Sequence, residues 1–151
     1  MITIEIDQDY RARIDPHPLE RSAKYTFQHA KAPESVDLTI VITGDAHIQR
    51  LNAEYRHVDA PTDVLSFPAN FTNPENDTPY LGDVVIAYPQ AESQAQAGGH
   101  PVEAELQLLV VHGVLHLLDY DHTSAEEKAQ MWALQTRILT ELGLENMHIT
   151  E

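Results

Sequence analysis

A chain of 151 residues with 42% hydrophobic and 22% charged side chains has the size and composition of one globular domain with a single core. It contains no cysteine, which excludes disulfides and thiolate metal sites, so any metal would have to be held by His, Asp or Glu. Nine Lys and Arg against 24 Asp and Glu give a net charge of −15 with neutral histidines, which argues against bulk, sequence-independent binding of nucleic acid but leaves a local basic cleft open.

The opening "MITIEIDQDY" has no basic stretch leading into an apolar run, and no apolar stretch nears the ~18 residues of a membrane span. The expectation is a cytoplasmic protein with no membrane partner. "ITIEI" (2–6) alternates apolar and polar residues as a half-buried strand does. Residues 16–32 read as a helix with Leu19, Ala23 and Phe27 on one face, stopped by Pro33. "VDLTIVIT" (36–43) is β-branched and apolar, a buried strand. Gly44-Asp45 then opens a helix over 46–56.

"TDVLSF" (62–67), between Pro61 and Pro68, predicts a short strand, and the polar, turn-rich "NFTNPENDTPY" (70–80) a loop. "GDVVIAY" (82–88) is another strand, and Pro89 suits the first position of a short helix over 89–97. Gly98-Gly99 break that helix and Pro101 starts the next, with Glu103 and Glu105 in or near its first turn, where the helix dipole favours acids. From Leu106 to Leu118 this helix is apolar almost all round and should be the buried one. A last helix begins at the capping box Ser124-x-x-Glu127, carries the stripe Met131, Leu134, Ile138 and Leu142, and ends at Gly143. The sum is one α+β domain spanning 1–151, with four strands and about five helices.

Within it, "HGVLHLLDYDH" (112–122) places histidines at positions 1, 5 and 11 of an eleven-residue window. Residues four apart on a helix are separated by about 40° around the axis and roughly 6 Å along it, so His112 and His116 share a face and can reach one ion. His122 can join them only if the chain turns after about Leu118. Asp119 stands where that turn is needed, and Asp is one of the few residues besides glycine that tolerates a left-handed backbone. Paired helical histidines are often mere core or surface residues. Two imidazoles in an apolar segment need polar partners, however, and the third lies at a spacing that closes a site. Three neutral imidazoles leave a fourth position for water, the pattern of a catalytic site and most simply of zinc, with nickel and copper not excluded by affinity. The same spacing marks zinc peptidases of the H-E-x-x-H-x-x-G-x-x-H type, but Gly113 stands where their general-base glutamate would be.

That window, together with "LNAEYRHVDAPTDVLSFP" (51–68) and "LGDVV" (81–85), resembles the YbeY family of ribosomal RNA maturation factors. The resemblance runs from about Val36 to Leu142 and includes Glu127 and Met131; the first 35 residues match only in general layout. It implies a metal-dependent endoribonuclease specific for single-stranded RNA, acting in processing of the 16S ribosomal RNA 3′ end and in ribosome assembly and quality control. It also implies a small mixed four-stranded sheet packed with helices and a zincin-like metal site. His112, His116 and His122 would bind one zinc ion per chain, and Arg56, in the "YR" element, would stabilise charge on the scissile phosphate. The implied partners are single-stranded and ribosomal RNA, together with ribosomal or ribosome-associated proteins. Asp119 departs from the family, which usually has glycine there, and adds a negative charge near the expected site.

Two other readings stay open at this point. One is a metallopeptidase or amidase using the same three ligands, which Gly113 opposes; the other is a ribosome-assembly factor whose zinc is structural. No general base is assigned, and the RNA 2′-hydroxyl is an alternative nucleophile to water. Asp63 and Ser66 read first as parts of a core strand, Asp83 as a turn residue and His57 as a surface histidine. His17, His29, His47, His100 and His148 show no spacing that suggests a site.

Overall fold

A computed structural model describes residues 1–30, 32–33, 35–120 and 124–144. In chain order, β1 (Ile2–Ile6) leads through a 3-10 turn at Arg11–Arg13 to α1 (Pro16–His29), β2 (Asp37–Thr43) and α2 (Asp45–Arg56). β3 (Val64–Asn73), β4 (Thr78–Ala87), α3 (Tyr88–Gly98), α4 (Val102–Leu117) and α5 (Ala125–Glu141) follow. Among the described residues the strands form one mixed sheet in the order β1-β2-β4-β3, parallel except for the β3–β4 pair.

Side chains alternate across the sheet with the period of two that strands impose. Leu38, Ile40, Ile42, Val84 and Ile86 face the main core with α1, α3, α4 and α5, whereas Val85 and Ala87 face α2, where they meet Ile48. α4 lies at the centre, against α1, α3, α5 and strands β3 and β4. Its burial from Ala104 to Leu115 accounts for the nearly continuous apolar reading of that segment. Among the described residues no helix is long and apolar enough to cross a membrane.

Four expectations need correction. α1 stops at His29 rather than running to residue 32. β3 does not end before Pro68 but continues to Asn73, because it is an edge strand and its pairing with β4 shifts between Pro68 and Phe71, where a missing N–H costs no ladder bond. The polar stretch 70–80 is therefore a hairpin end rather than a loop. Phe71 and Tyr80 face each other across the strands with stacked rings 5.2 Å apart, and Asp77 closes the turn with its N–H on the Asn73 carbonyl at 2.8 Å. Polar turn residues hid a strand pair whose two aromatics are the signal.

Just before that register shift the Phe67 carbonyl lies close to Gly82 of the neighbouring strand. A Cβ there would lie 2.3 Å from that oxygen, and the backbone φ of +143° is itself one that side chains rarely adopt, so only glycine fits. Asp83 is consequently not a turn residue: it sits mid-strand opposite Thr39 and Phe67, and its carboxylate accepts the Tyr80 hydroxyl.

The hairpin is tied to the start of β2 by Asp37. Its carboxylate accepts hydrogen bonds from the Met1 amine at 2.8 Å, from Asn76 Nδ2 at 2.8 Å and from Asn73 Nδ2 at 3.0 Å. The amine and the two amides hold its pKa down, from 3.8 to about 2. A lowered folded-state pKa means that the ionised form is the one the fold favours. Its contribution is complete above pH 4 and is lost as the pH falls toward 2. Urea midpoints of the wild type should therefore drop more steeply over that interval than those of Asp37→Asn; parallel slopes would refute the linkage.

Candidate metal centre and its cleft

α4 presents His112 and His116 from one face, one turn apart. His112 is 2% exposed and His116 half-buried. Their Nε2 atoms lie 3.0 Å apart, with ring centroids at 4.6 Å and ring planes inclined by 79°. On its far side His112 Nδ1 is 3.0 Å from Gln135 Oε1, a buried contact made across to α5, and Trp132 stands edge-on to the same ring. A carbonyl oxygen only accepts, so this bond assigns the proton to Nδ1 and leaves the lone pair of a neutral ring on Nε2. That lone pair points at His116.

The arrangement fits a metal. Two nitrogens bound tetrahedrally at 2.0–2.1 Å stand roughly 3.3 Å apart, close to the separation seen, and metal-binding histidines characteristically donate their other ring N–H to an oxygen acceptor. Gln135 escaped the sequence reading. The signal was there: a polar residue four positions after Met131 and three before Ile138, on the face of α5 that the apolar stripe marks as buried. Leu134, assigned to that stripe, is only half-buried, and Leu139 takes its share of the core.

Beyond His116 the helix ends as the spacing requires. Leu118 caps α4, and Asp119 adopts the left-handed conformation with φ 71°. Asp119 N–H bonds the His116 carbonyl at 3.1 Å and Tyr120 N–H the Leu115 carbonyl at 3.0 Å, the paired bonds of a Schellman stop. His122, the expected third ligand, lies outside the described residues. α5 then starts with the Ser124 hydroxyl accepting from Glu127 N–H at 3.1 Å, as the capping box predicts. Asp119 borders a smaller hollow beside Leu117 and Tyr80 and is not among the described residues that line the cleft in front of the histidines.

Gly113 is a close-packing position. A Cβ on it would come within 2.7 Å of Val84 Cγ1 and 3.3 Å of Ser66 Oγ, and its carbonyl accepts the Ser66 hydroxyl at 3.0 Å. Helix and sheet approach here as closely as they do because no side chain intervenes. The residue after the first histidine thus has no room for a glutamate, which turns a missing general base into a steric requirement.

Both histidines open onto a cleft of about 780 Å³. Its lining includes β3 residues from Val64 to Pro68 and, from the end of α2, Tyr55 and Arg56. The structure thus brings Arg56 to the same cleft as His112 and His116. Asn52 fixes that end of α2: its side chain donates to the Ala60 carbonyl at 2.9 Å and its carbonyl accepts from Val58 N–H at 3.2 Å. Asp63 also lines the cleft, its carboxylate held by Val64 N–H at 2.8 Å and Gln94 Nε2 at 3.3 Å. Ser66 joins β3 to α4 through Gly113. His57 is the left-handed cap of α2, with φ 60°, and is exposed. His17, His29, His47 and His100 bond Asp15, the Tyr25 carbonyl, Thr43 and Glu105 respectively, away from the cleft; His148 lies outside the described residues.

Comparison with known proteins gives a consistent result. The family model described as Endoribonuclease YbeY matches residues 4–143, extending the likeness through β1 and α1. A protein of a Roseiflexus species named Endoribonuclease YbeY is 43% identical over 149 residues, covering 95% of this chain and 93% of its own. One of the same name from Dehalococcoides mccartyi is 42% identical over 142 residues, covering 86% of each chain. A solution structure of a Thermotoga maritima protein superposes with a TM-score of 0.58 at 25% identity, over 93% of this chain and 91% of that one.

Two substitutions at the ends of this geometry should act in opposite directions. Gly113→Ala forces a methyl group against the stiff Val84 side chain; overpacking of about 1–3 kcal/mol outweighs the ~1 kcal/mol of helix propensity gained. Asp119→Gly relieves a left-handed side chain and should stabilise by about 0.5–1 kcal/mol. Urea unfolding followed by circular dichroism reads both, and a stabilised Gly113→Ala or a destabilised Asp119→Gly would contradict the packing and the turn.

Proposed function

The chain belongs to the YbeY endoribonuclease family, and from that premise we propose that it is a zinc-dependent endoribonuclease specific for single-stranded RNA. It acts in the cytoplasm on ribosomal RNA, in maturation of the 16S 3′ end and in ribosome assembly and quality control. His112, His116 and His122 hold one zinc ion, and Arg56 is the catalytic cation. The observation that carries this reading is the meeting of two histidines with opposed Nε2 atoms and a guanidinium on one cleft.

When bound, such an ion supplies Lewis acidity and a water acidified toward neutral pH. The chain supplies the rest. Gln135 keeps the His112 proton on Nδ1, so that Nε2 is available as a donor without a proton having to leave first. Arg56 offers a planar fork that matches a phosphate in two bonds and neutralises the charge that grows on it as the ester is broken. The close contact at Gly113 removes the position from which a peptidase would draw its base, which favours RNA over peptides as substrate.

The test is cleavage of a single-stranded RNA and of its duplex by metal-quantified protein, beside His116→Ala, Gln135→Ala and Arg56→Ala. The single strand should be cut and the duplex spared. Chelation should abolish activity and zinc restore it. His116→Ala should lose both zinc and cleavage, and Gln135→Ala should bind zinc roughly 10- to 100-fold more weakly. Arg56→Ala should keep its zinc and its fold but lose roughly 100-fold or more in rate. Metal-loaded wild type that leaves RNA intact would refute the reading.

A further inference from the structure

Resting on the endoribonuclease reading, we propose that Tyr55 is a stacking platform for an unpaired base next to the phosphate held by Arg56, and that it is a source of the single-strand requirement. Of the four large apolar side chains most exposed among the described residues, Met1, Tyr55, Val58 and Phe71, Tyr55 is the one that lines the cleft of His112 and His116. It is 59% exposed. Yet it is not loose: its ring meets Phe67 in a T-shaped contact, with centroids 5.2 Å apart and planes inclined by 67°. Phe67 in turn packs against the core formed by Ile48, Leu65, Val85 and Ala87. An edge-to-face contact covers at most one face of the tyrosine, so a braced ring offers an open face to the cleft.

Tyr55 and Arg56 are consecutive in the last turn of α2, about 100° apart around its axis. Both line the same cleft, so one helix end supplies it with an aromatic ring and a guanidinium, the two groups that a nucleotide needs for its base and its phosphate. Base-on-aromatic stacking is tolerant of sequence because every base has a π-face. In a duplex both faces of each base are covered by its neighbours, so only an unstacked base can lie on the ring. Selection against paired RNA then follows without any base-specific hydrogen bond.

The experiment compares wild type with Tyr55→Phe, Tyr55→Leu and Tyr55→Ala, all zinc-loaded, in steady-state cleavage of a single-stranded RNA. In parallel, the fluorescence of a short single-stranded oligonucleotide carrying 2-aminopurine is followed, since stacking on an aromatic ring quenches it. Tyr55→Phe should keep the quench and the wild-type KM. Tyr55→Leu, which preserves apolar bulk but not the ring, and Tyr55→Ala should lose the quench and raise KM roughly tenfold with little change in kcat. Thermal midpoints should hardly move, because the side chain is mostly exposed. If wild type cuts RNA while the Leu and Ala variants retain KM and quench, the platform is refuted and the nuclease reading stands. If wild type cuts no RNA at all, the nuclease reading falls and the platform with it.

Discussion

A buried imidazole has two nitrogens to satisfy, and the structure is arranged around meeting that demand for His112. The ring sits in the most apolar helix of the chain, where an unmatched polar atom would be costly. α5 answers on one side with Gln135; α4 answers on the other with His116, a single turn away. For α5 to supply that amide, α4 must end soon after His116 and the chain must reverse. The left-handed Asp119 starts that reversal and Ser124 opens the helix that completes it. Placement of the pair, the helix stop and the packing of the last helix are thus parts of one solution.

The acidity of the chain and a substrate made of phosphates are reconciled locally. Among the described residues that line the cleft, Asp63 and Arg56 carry opposite charges that cancel, so those residues add nothing to the net charge of −15. A divalent ion on the histidines would make the cleft itself positive. Exposed charges farther away than about 8 Å are largely screened at physiological salt, so what RNA meets at close range is the cleft and not the total. An aromatic face that adds binding without charge is the complement one would expect in so acidic a protein.

Much of this was legible in the residues. The period-two pattern of 2–6 and the β-branched run of 36–43 became strands within a residue of their expected bounds, and the capping box at Ser124 marked its helix start. The pairing of His112 with His116 follows from helical geometry, and the turn at Asp119 from the left-handed tolerance of Asp just ahead of the Ser124 capping box. What stayed hidden depended on contacts between segments distant in sequence. Pro68 reads as the end of a strand because nothing local reveals that β3 lies at an edge. Asp83 looked like a turn residue beside Gly82, whereas that glycine answers to the Phe67 carbonyl of the neighbouring strand. Gly113 was legible as an absent glutamate but not as the contact point of helix and sheet. Arg56 is marked by family likeness, since no spacing rule joins the end of α2 to a histidine more than fifty residues on.

The irregular edge of the sheet bears on how the protein behaves among its own copies. An outermost strand displays unpaired amides and carbonyls, an invitation for a second chain to add on and, by repetition, to form fibrils. In β3 the proline withholds one donor, and the offset that follows it breaks the straight run that such recruitment needs. The strand that walls the cleft can therefore stay open to solvent at high concentration without becoming a seed for self-association.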